Sequence, residues 1–230
     1  MNTLLGLLDE IPSPAEQPRA TPIRDRSTRH SASPTALLHT EQIHALVHQL
    51  FFQQESKPVR HVGFVAIEAC SETATLCLQV AKALAEEDRY DIGLFDAHPD
   101  SLPLQTKLQI PSPIGAELTW PIAPRLWLVP RQSWLPQGSA QRITEQNLSR
   151  LREIMTEFDF SILSCAPASW LTACIGQTCD GLVLVLTANK TRRLVAAQIK
   201  DHLTKARVPL LGTVLADRRF PVPQGLYRSL

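Results

Sequence analysis

Short apolar runs of strand length alternate with helical patterns along most of this chain, and this alternation constrains the fold more than any other feature. Near-continuous apolar runs are typical of strands that are buried on both faces, and intervening helices are typical of parallel sheets. We therefore predict an α/β fold with a doubly wound, mostly parallel sheet. The runs assigned to strands are "HVGFVAI" at 61–67, "YDIGLF" at 90–95, "RLWLV" at 125–129, "FDFSILS" at 158–164, "GLVLVL" at 181–186 and "VPLLGTVLA" at 208–216.

The N-terminal part has a different composition. Residues 11–34 are rich in Pro, Ser, Thr and Arg and contain few bulky apolar side chains, so burial cannot compensate for the entropy lost on ordering. We predict a disordered Pro/Ser/Arg-rich arm over residues 1–39 and one α/β domain over residues 40–230. Thr40 is a candidate N-cap for the helix "TEQIHALVHQLFFQQ". The apolar stripe of this helix consists of Ile43, Leu46, Val47, Leu50 and Phe51.

Charge and cysteine content exclude several classes of protein. A formal net charge of +1, with 20% charged residues, provides no basic field for nucleic acid, so we expect no nucleic-acid partner. No apolar run approaches the roughly 18 residues that a transmembrane helix needs. Five cysteines without a C-x-x-C pair fit reduced thiols better than disulfides or structural zinc. The apolar N-terminal patch lacks the basic region of a secretory signal. A cytoplasmic location is therefore expected.

Five segments, in their order and spacing, resemble the cytoplasmic domain of bacterial tyrosine kinases (BY-kinases) of capsule and exopolysaccharide systems. This family belongs to the deviant-Walker P-loop superfamily, with the MinD/ParA-like ATPases, so the resemblance implies a P-loop NTPase-like fold. The segments are "EQIHALVHQLFF" from Glu41, "AIEACSETATLCLQVAKALAE" from Ala66, "IGLFDAHPD" from Ile92, "FDFSILSCAPAS" from Phe158, and the chain from Gly181 onward.

The resemblance implies a degenerate nucleotide site. It places the vestigial phosphate loop at Cys70, Ser71, Glu72, Thr73, Ala74 and Thr75. Glu72 stands where the family has the last glycine of this loop, Thr73 where it has lysine, and Ala74 where it has the magnesium-binding hydroxyl. A phosphate loop needs all three, because glycines turn backbone N–H groups inward, lysine neutralises phosphate oxygens, and the hydroxyl binds Mg²⁺.

The acidic motifs of the family are also incomplete. Asp96 is retained, but His98 replaces the second Asp of its motif, and Ser164 replaces the magnesium-ordering Asp of Walker B. Glu68 stands near the loop where the family has a signature lysine. Because phosphoryl transfer depends on positioned cations, we predict that Asp96, His98 and Ser164 are vestigial. We expect no catalytic residue, no bound metal and no cofactor.

The resemblance also implies a role in assembly. The family's upstream helix mediates ring assembly through a Glu and two Arg; here Glu41 matches, while His44 and Val47 replace the arginines. A basic, aromatic tail offers a second interaction surface for a protein or an anionic membrane. Its residues are Arg218, Arg219 and Tyr227. Expected partners are a membrane-anchored chain-length regulator of polysaccharide export or an active kinase paralogue, at the inner face of the cell membrane.

Three functions stay open from the sequence. The first is a non-catalytic scaffold or regulator in polysaccharide biosynthesis or export. The second is a weak ATPase or tyrosine kinase that binds ATP or ADP with Mg²⁺ through backbone amides of the loop and the following helix. The third is a MinD/ParA-like positioning protein or a cellulose-secretion accessory protein.

Two residue-level alternatives are also open. Cys70 and Cys165 could face one crevice, together with Glu68, Asp96 and His98, and bind a metal or act as redox thiols. The alternative is simple burial, because cysteine is among the most buried residue types. Asp96 could equally be a strand-end carboxylate that caps a turn.

Overall fold

The computed structural model of the chain describes residues 34–53, 57–67, 72–98, 102–111, 119–135, 143–167, 170–188 and 190–216, without the side chains of 34–39 and 72. The strands are β1 His61–Ala66, β2 Ile92–Ala97, β3 Trp120–Ala123, β4 Leu126–Val129, β5 Phe160–Cys165, β6 Gly181–Thr187 and β7 Leu210–Ala216. The helices are α1 Pro34–Val47, α2 Glu72–Ala85, α3 Leu104–Lys107, α4 Glu145–Met155, α5 Trp170–Gly176 and α6 Arg193–Lys205.

The seven described strands form one sheet in the order β3-β4-β2-β5-β1-β6-β7. Every neighbouring pair is parallel except β3 and β4, which pair antiparallel at one edge. The predicted doubly wound, mostly parallel sheet is therefore confirmed. Ligand sites in such sheets lie beyond the carboxyl ends of the strands, where the strand order reverses.

Helices cover both faces of the sheet. On one face, α1 and α2 pack apolar side chains such as Val47, Cys77 and Leu84 against Phe64 of β1. On the other face, α4, α5 and α6 contribute a second apolar cluster that includes Leu151. Because side chains of a strand alternate between faces, neighbouring residues of one strand contact different helices.

A five-residue π-helix, His48–Phe52, continues directly from α1. Its wider turn directs both of its phenylalanines toward β5. The ring of Phe51 packs edge-on against Phe160 at a centroid distance of 5.2 Å, and the ring of Phe52 does so at 5.9 Å. Tyr90 completes the aromatic cluster, with its ring 5.0 Å from that of Phe160.

Several boundaries differ from those predicted. Helix α1 begins at Pro34 rather than at Thr40, so the end of the predicted arm is helical. Proline is well tolerated in a first helical turn, where its missing N–H has no intrahelical partner. Three of these strands and helices were not predicted: β3, which contains Pro121, and the short helices α3 and α5. The rest of the predicted arm, residues 1–33, lies outside the described residues.

Candidate functional site

The carboxyl ends of β2, β5 and β1 meet beneath the first turns of α2. Asp96 of β2 is the register partner of Ser164 in β5, and Ser164 in turn pairs with Phe64 of β1. Thr73 and Cys77 of α2 are buried on the same side. This edge is where the sequence placed the vestigial nucleotide site.

Both oxygens of the Asp96 carboxylate accept hydrogen bonds from nearby backbone N–H groups. The backbone N–H of His98 donates to Oδ1 at 3.2 Å, and the backbone N–H of Leu104, at the start of α3, donates to Oδ2 at 3.0 Å. The indole N–H of Trp134 donates to the Asp96 carbonyl at 3.2 Å. Asp96 thus closes the turn after β2 and stabilises the N-terminus of α3, as its turn-capping alternative predicted.

Asp96 is 2% exposed, and this burial has the largest effect on its pKa. Desolvation raises the pKa of this carboxyl above its ordinary value, whereas the two backbone hydrogen bonds and the charges of Arg131 and Lys107 oppose that rise. Sequence reasoning missed both cations, because they follow no motif. Arg131 is held at this edge by the His98 carbonyl, which accepts a hydrogen bond from Nη1 at 2.7 Å.

The remaining described side chains of this edge are neutral. Ser164 forms a side-chain hydrogen bond with Cys77, and burial raises the pKa of the Cys77 thiol to about 12. Thr73 and Ala74 are buried, whereas Thr75 is exposed. The described residues do not include Glu68, Cys70, Ser71 or the side chain of Glu72.

Cys165 lies on the opposite face of the sheet from Asp96, so the alternative in which the two face one crevice is wrong. Asp96 aligns with Ser164, and Cys165 is the next residue along β5, so its thiol lies on the opposite face of the sheet. A Cβ atom on Gly63 would lie 3.2 Å from the sulfur of Cys165 and 3.9 Å from that of Cys179. Burial raises the pKa of Cys165 well above its usual range, which opposes thiolate chemistry.

Metal ligation has no support in the described part of the chain. Across these ranges, no three His, Cys, Asp or Glu side chains gather closely enough to hold a metal ion.

The predicted assembly helix is only partly available to a partner. Glu41 is exposed, and His44 places Nε2 3.4 Å from the carboxylate of Glu86 on α2. Val47 is 5% exposed and belongs to the core, so it cannot present a surface to another subunit. Arg218, Arg219 and Tyr227 lie outside the described residues. None of the described helices combines the length and apolar character that crossing a bilayer requires.

Solved structures with this architecture include tyrosine kinase domains and a ParA family ATPase. The VpsO kinase domain superposes with a TM-score of 0.66 at 16% identity, over 80% of this chain and 98% of that chain. The kinase domain of the Escherichia coli tyrosine kinase ETK gives 0.61 at 15% identity, over 87% and 88% of the two chains. A ParA family ATPase from Chlorobium tepidum gives 0.57 at 15% identity, over 68% and 73%.

Sequence comparison adds no family assignment. No protein-family model matches the chain, and no curated protein matches it. At identities below one fifth, the structural similarity establishes the fold: this is a P-loop NTPase-like α/β domain. Within that class, its structural neighbours are bacterial tyrosine kinase domains and ParA-like ATPases.

Proposed function

We propose that this chain is a non-catalytic relative of exopolysaccharide tyrosine kinases that acts as a scaffold or regulator in polysaccharide biosynthesis or export. The observation that carries the proposal is the state of Asp96. Both of its carboxylate oxygens accept backbone N–H groups, and the side chain is almost fully buried. A carboxylate that is buried and engaged in this way is poorly suited to orient a hydrated Mg²⁺ ion.

The side chains around Asp96 support the same conclusion. Phosphoryl transfer relies on a lysine, a metal ion and a hydroxyl that together stabilise negative charge. The positions that resemble the family's lysine and hydroxyl carry Thr73 and Ala74, and Ser164 bonds to Cys77. The cations that act on Asp96 come from α3 and from the turn after β4, rather than from α2.

The catalytic half of the proposal is tested by titrating the full chain with a fluorescent ATP analogue in the presence of Mg²⁺. We expect no saturation below about 1 mM, where the binding free energy is only about −4 kcal/mol. Thermal unfolding with and without ATP is a second readout, because a ligand at 100 times its dissociation constant stabilises a protein by about 2.7 kcal/mol. Micromolar saturation, with the matching rise in melting temperature, would favour the weak ATPase instead.

The scaffold half requires a partner, and affinity capture of the tagged full chain from its native organism tests it. We expect recovery of a membrane-anchored chain-length regulator or an active tyrosine kinase. Recovery of cellulose-secretion or positioning proteins in their place would favour the third function.

A further inference from the structure

The surface around α6 carries positive charges that have no counter-charge among the described residues. Residues 190–207 include six cationic side chains but only one acidic side chain, that of Asp201. The cations are Lys190, Arg192, Arg193, Lys200, Lys205 and Arg207. Among the described residues, none of these six lies within ion-pair distance of a carboxylate. The chain as a whole has a net charge of only +1, so this surface is a local concentration of positive charge.

Exposed apolar side chains lie in the same region. Leu194 and Val195, in the first turn of α6, are 78% and 37% exposed, and Leu215, near the end of β7, is 50% exposed. Because β6 and β7 run parallel, the first turn of α6 and the end of β7 lie at the same edge of the sheet. Leu215 pairs with Leu186, whose side chain packs on the α6 side.

These residues define one surface, which we call the α6 surface. It consists of Lys190, Arg192, Arg193, Leu194 and Val195. Exposed apolar side chains with charged neighbours are typical of interaction sites. An occupant that complements this surface must be apolar on one side and negatively charged.

The first sixteen residues of the chain have this chemistry. Leu4, Leu7, Leu8 and Ile11 recur at helical spacing, which would place them on one face of a helix. Acidic residues occur at Asp9, Glu10 and Glu16, whereas residues 1–16 contain no Lys or Arg.

Charge distinguishes this segment from the other candidate occupants. The residues after β7 carry Arg218, Arg219 and Arg228 against Asp217, so a positive surface repels them. A second copy of the α6 surface would bring like charges together, which opposes association. The N-terminal segment is the occupant whose charge is complementary.

We propose that residues 4–11 of this chain bind the α6 surface of the same molecule. The apolar stripe contacts Leu194 and Val195, and the carboxylates of Asp9 and Glu10 pair with Arg192 and Arg193. A segment with the length of residues 12–33 reaches up to about 70 Å when extended, which exceeds the roughly 30 Å diameter of a small domain. Helix α1, which follows it, therefore does not prevent this contact.

Hydrogen–deuterium exchange of the full chain, followed by mass spectrometry, tests the proposal. We expect slowed exchange of backbone amides in residues 4–11, and loss of that protection in the variant Leu194→Glu. The matched control is Leu102→Glu, because Leu102 is also a strongly exposed leucine, at 66%, but lies at the α3 side of the sheet. In this control, protection of residues 4–11 should stay as in the wild type.

Charge exchange tests the ionic part. The double variant Arg192→Glu/Arg193→Glu should lose the protection, and adding Asp9→Lys/Glu10→Lys to it should restore the protection. In the wild type, protection should weaken between about 0.1 M and about 1 M salt, because the Debye length falls from about 10 Å to about 3 Å.

Three outcomes would overturn the proposal. The first is unprotected exchange of residues 4–11 in the wild type. The second is protection that disappears on dilution, which would show that the segment binds a second copy. The third is an unprotected segment combined with binding to phosphatidylglycerol vesicles that Leu194→Glu abolishes, which would assign the surface to an anionic membrane.

Discussion

Asp96 and the cations at the start of α6, Lys190, Arg192 and Arg193, lie near the carboxyl edge of the sheet, but their charges have opposite surroundings. Each oxygen of the Asp96 carboxylate accepts a backbone hydrogen bond, and Arg131 and Lys107 act on it. The α6 cations have no carboxylate within ion-pair distance among the described residues. The charge of Asp96 thus serves the fold by closing a turn, whereas the α6 charges have no such role among the described contacts.

The largest expected difference in stability is between substitutions on the buried side and on the exposed side of α6. Leu203 is the residue of α6 that is fully buried, so Leu203→Ala should lower the free energy of unfolding by about 2–5 kcal/mol through lost burial and a cavity. Leu194→Ala, on the exposed side, should change it by no more than about 0.5 kcal/mol. Urea unfolding of both variants measures the difference. Equal losses would mean that Leu194 is buried by the fold itself.

Removal of the Asp96 carboxylate should have the next largest effect. Asp96→Ala leaves the backbone N–H groups of His98 and Leu104 without their acceptor, which should lower the free energy of unfolding by about 2–3 kcal/mol. Lys200→Ala is the control from the α6 side, with an expected change within about 0.5 kcal/mol. A shift of the urea midpoint at constant slope measures both. A stable Asp96→Ala protein would show that the turn does not depend on this carboxylate.

Titration of Asp96 should have a smaller effect on stability, and the direction of its pKa shift fixes the sign of that effect. Because burial raises the pKa of Asp96 above its ordinary value of 3.8, the folded state binds this proton more tightly than the unfolded state. That contribution to stability is fully present below pH 3.8 and is lost as the pH rises through the folded-state pKa.

Asp96→Asn removes this titration. The stability advantage of the wild type over Asp96→Asn should therefore shrink as the pH rises from about 4 toward neutrality. Urea midpoints of the two proteins, measured in parallel at each pH, test the sign. An advantage that grows with pH would mean that the hydrogen bonds and cations dominate over desolvation.

The smallest expected effect concerns surface ion pairs. Arg125 places Nη1 2.8 Å from Asp91 and Nε 3.4 Å from Asp88, in an exposed position. Arg125→Gln should lower the free energy of unfolding by about 0.2–1 kcal/mol, whereas Lys200→Gln should not lower it, because Lys200 has no ion-pair partner in the described part of the chain. High salt should remove the difference between the two variants. Its persistence in high salt would identify a cause other than charge.

The architecture could be predicted because burial on both faces leaves a strong signal in each central strand. The six predicted strands all occur, with shifts of a few residues in runs such as Ile92–Ala97. The edge strand β3 left no such signal, since it has four residues and contains Pro121. Helix α5 has only seven residues, and five of them are buried, so its sequence shows no alternation of apolar and polar faces.

The site could be predicted only in part, because the side chains that meet there come from distant parts of the chain. For Asp96 the sequence offered turn capping as one alternative, and the contacts with His98 and Leu104 show that it caps the turn. The apolar stripe predicted a buried Val47, whereas the family resemblance placed it at an assembly position. Val47 is in the core, as the stripe predicted. Arg131 carries no local signal, because its role depends on β4 lying beside β2.

The π-helix at His48–Phe52 has a consequence for how this part of the chain tolerates changes in length. A π-turn holds one residue more than an α-turn, so deleting a single exposed residue such as Gln49 would allow the segment to continue as a regular α-helix. Because the π-turn accommodates its extra residue within one turn, the side chains after the deletion would keep nearly the same angular position around the helix axis. Phe51 would therefore stay close to Phe160, so this segment should tolerate the loss of one residue better than a regular helix would.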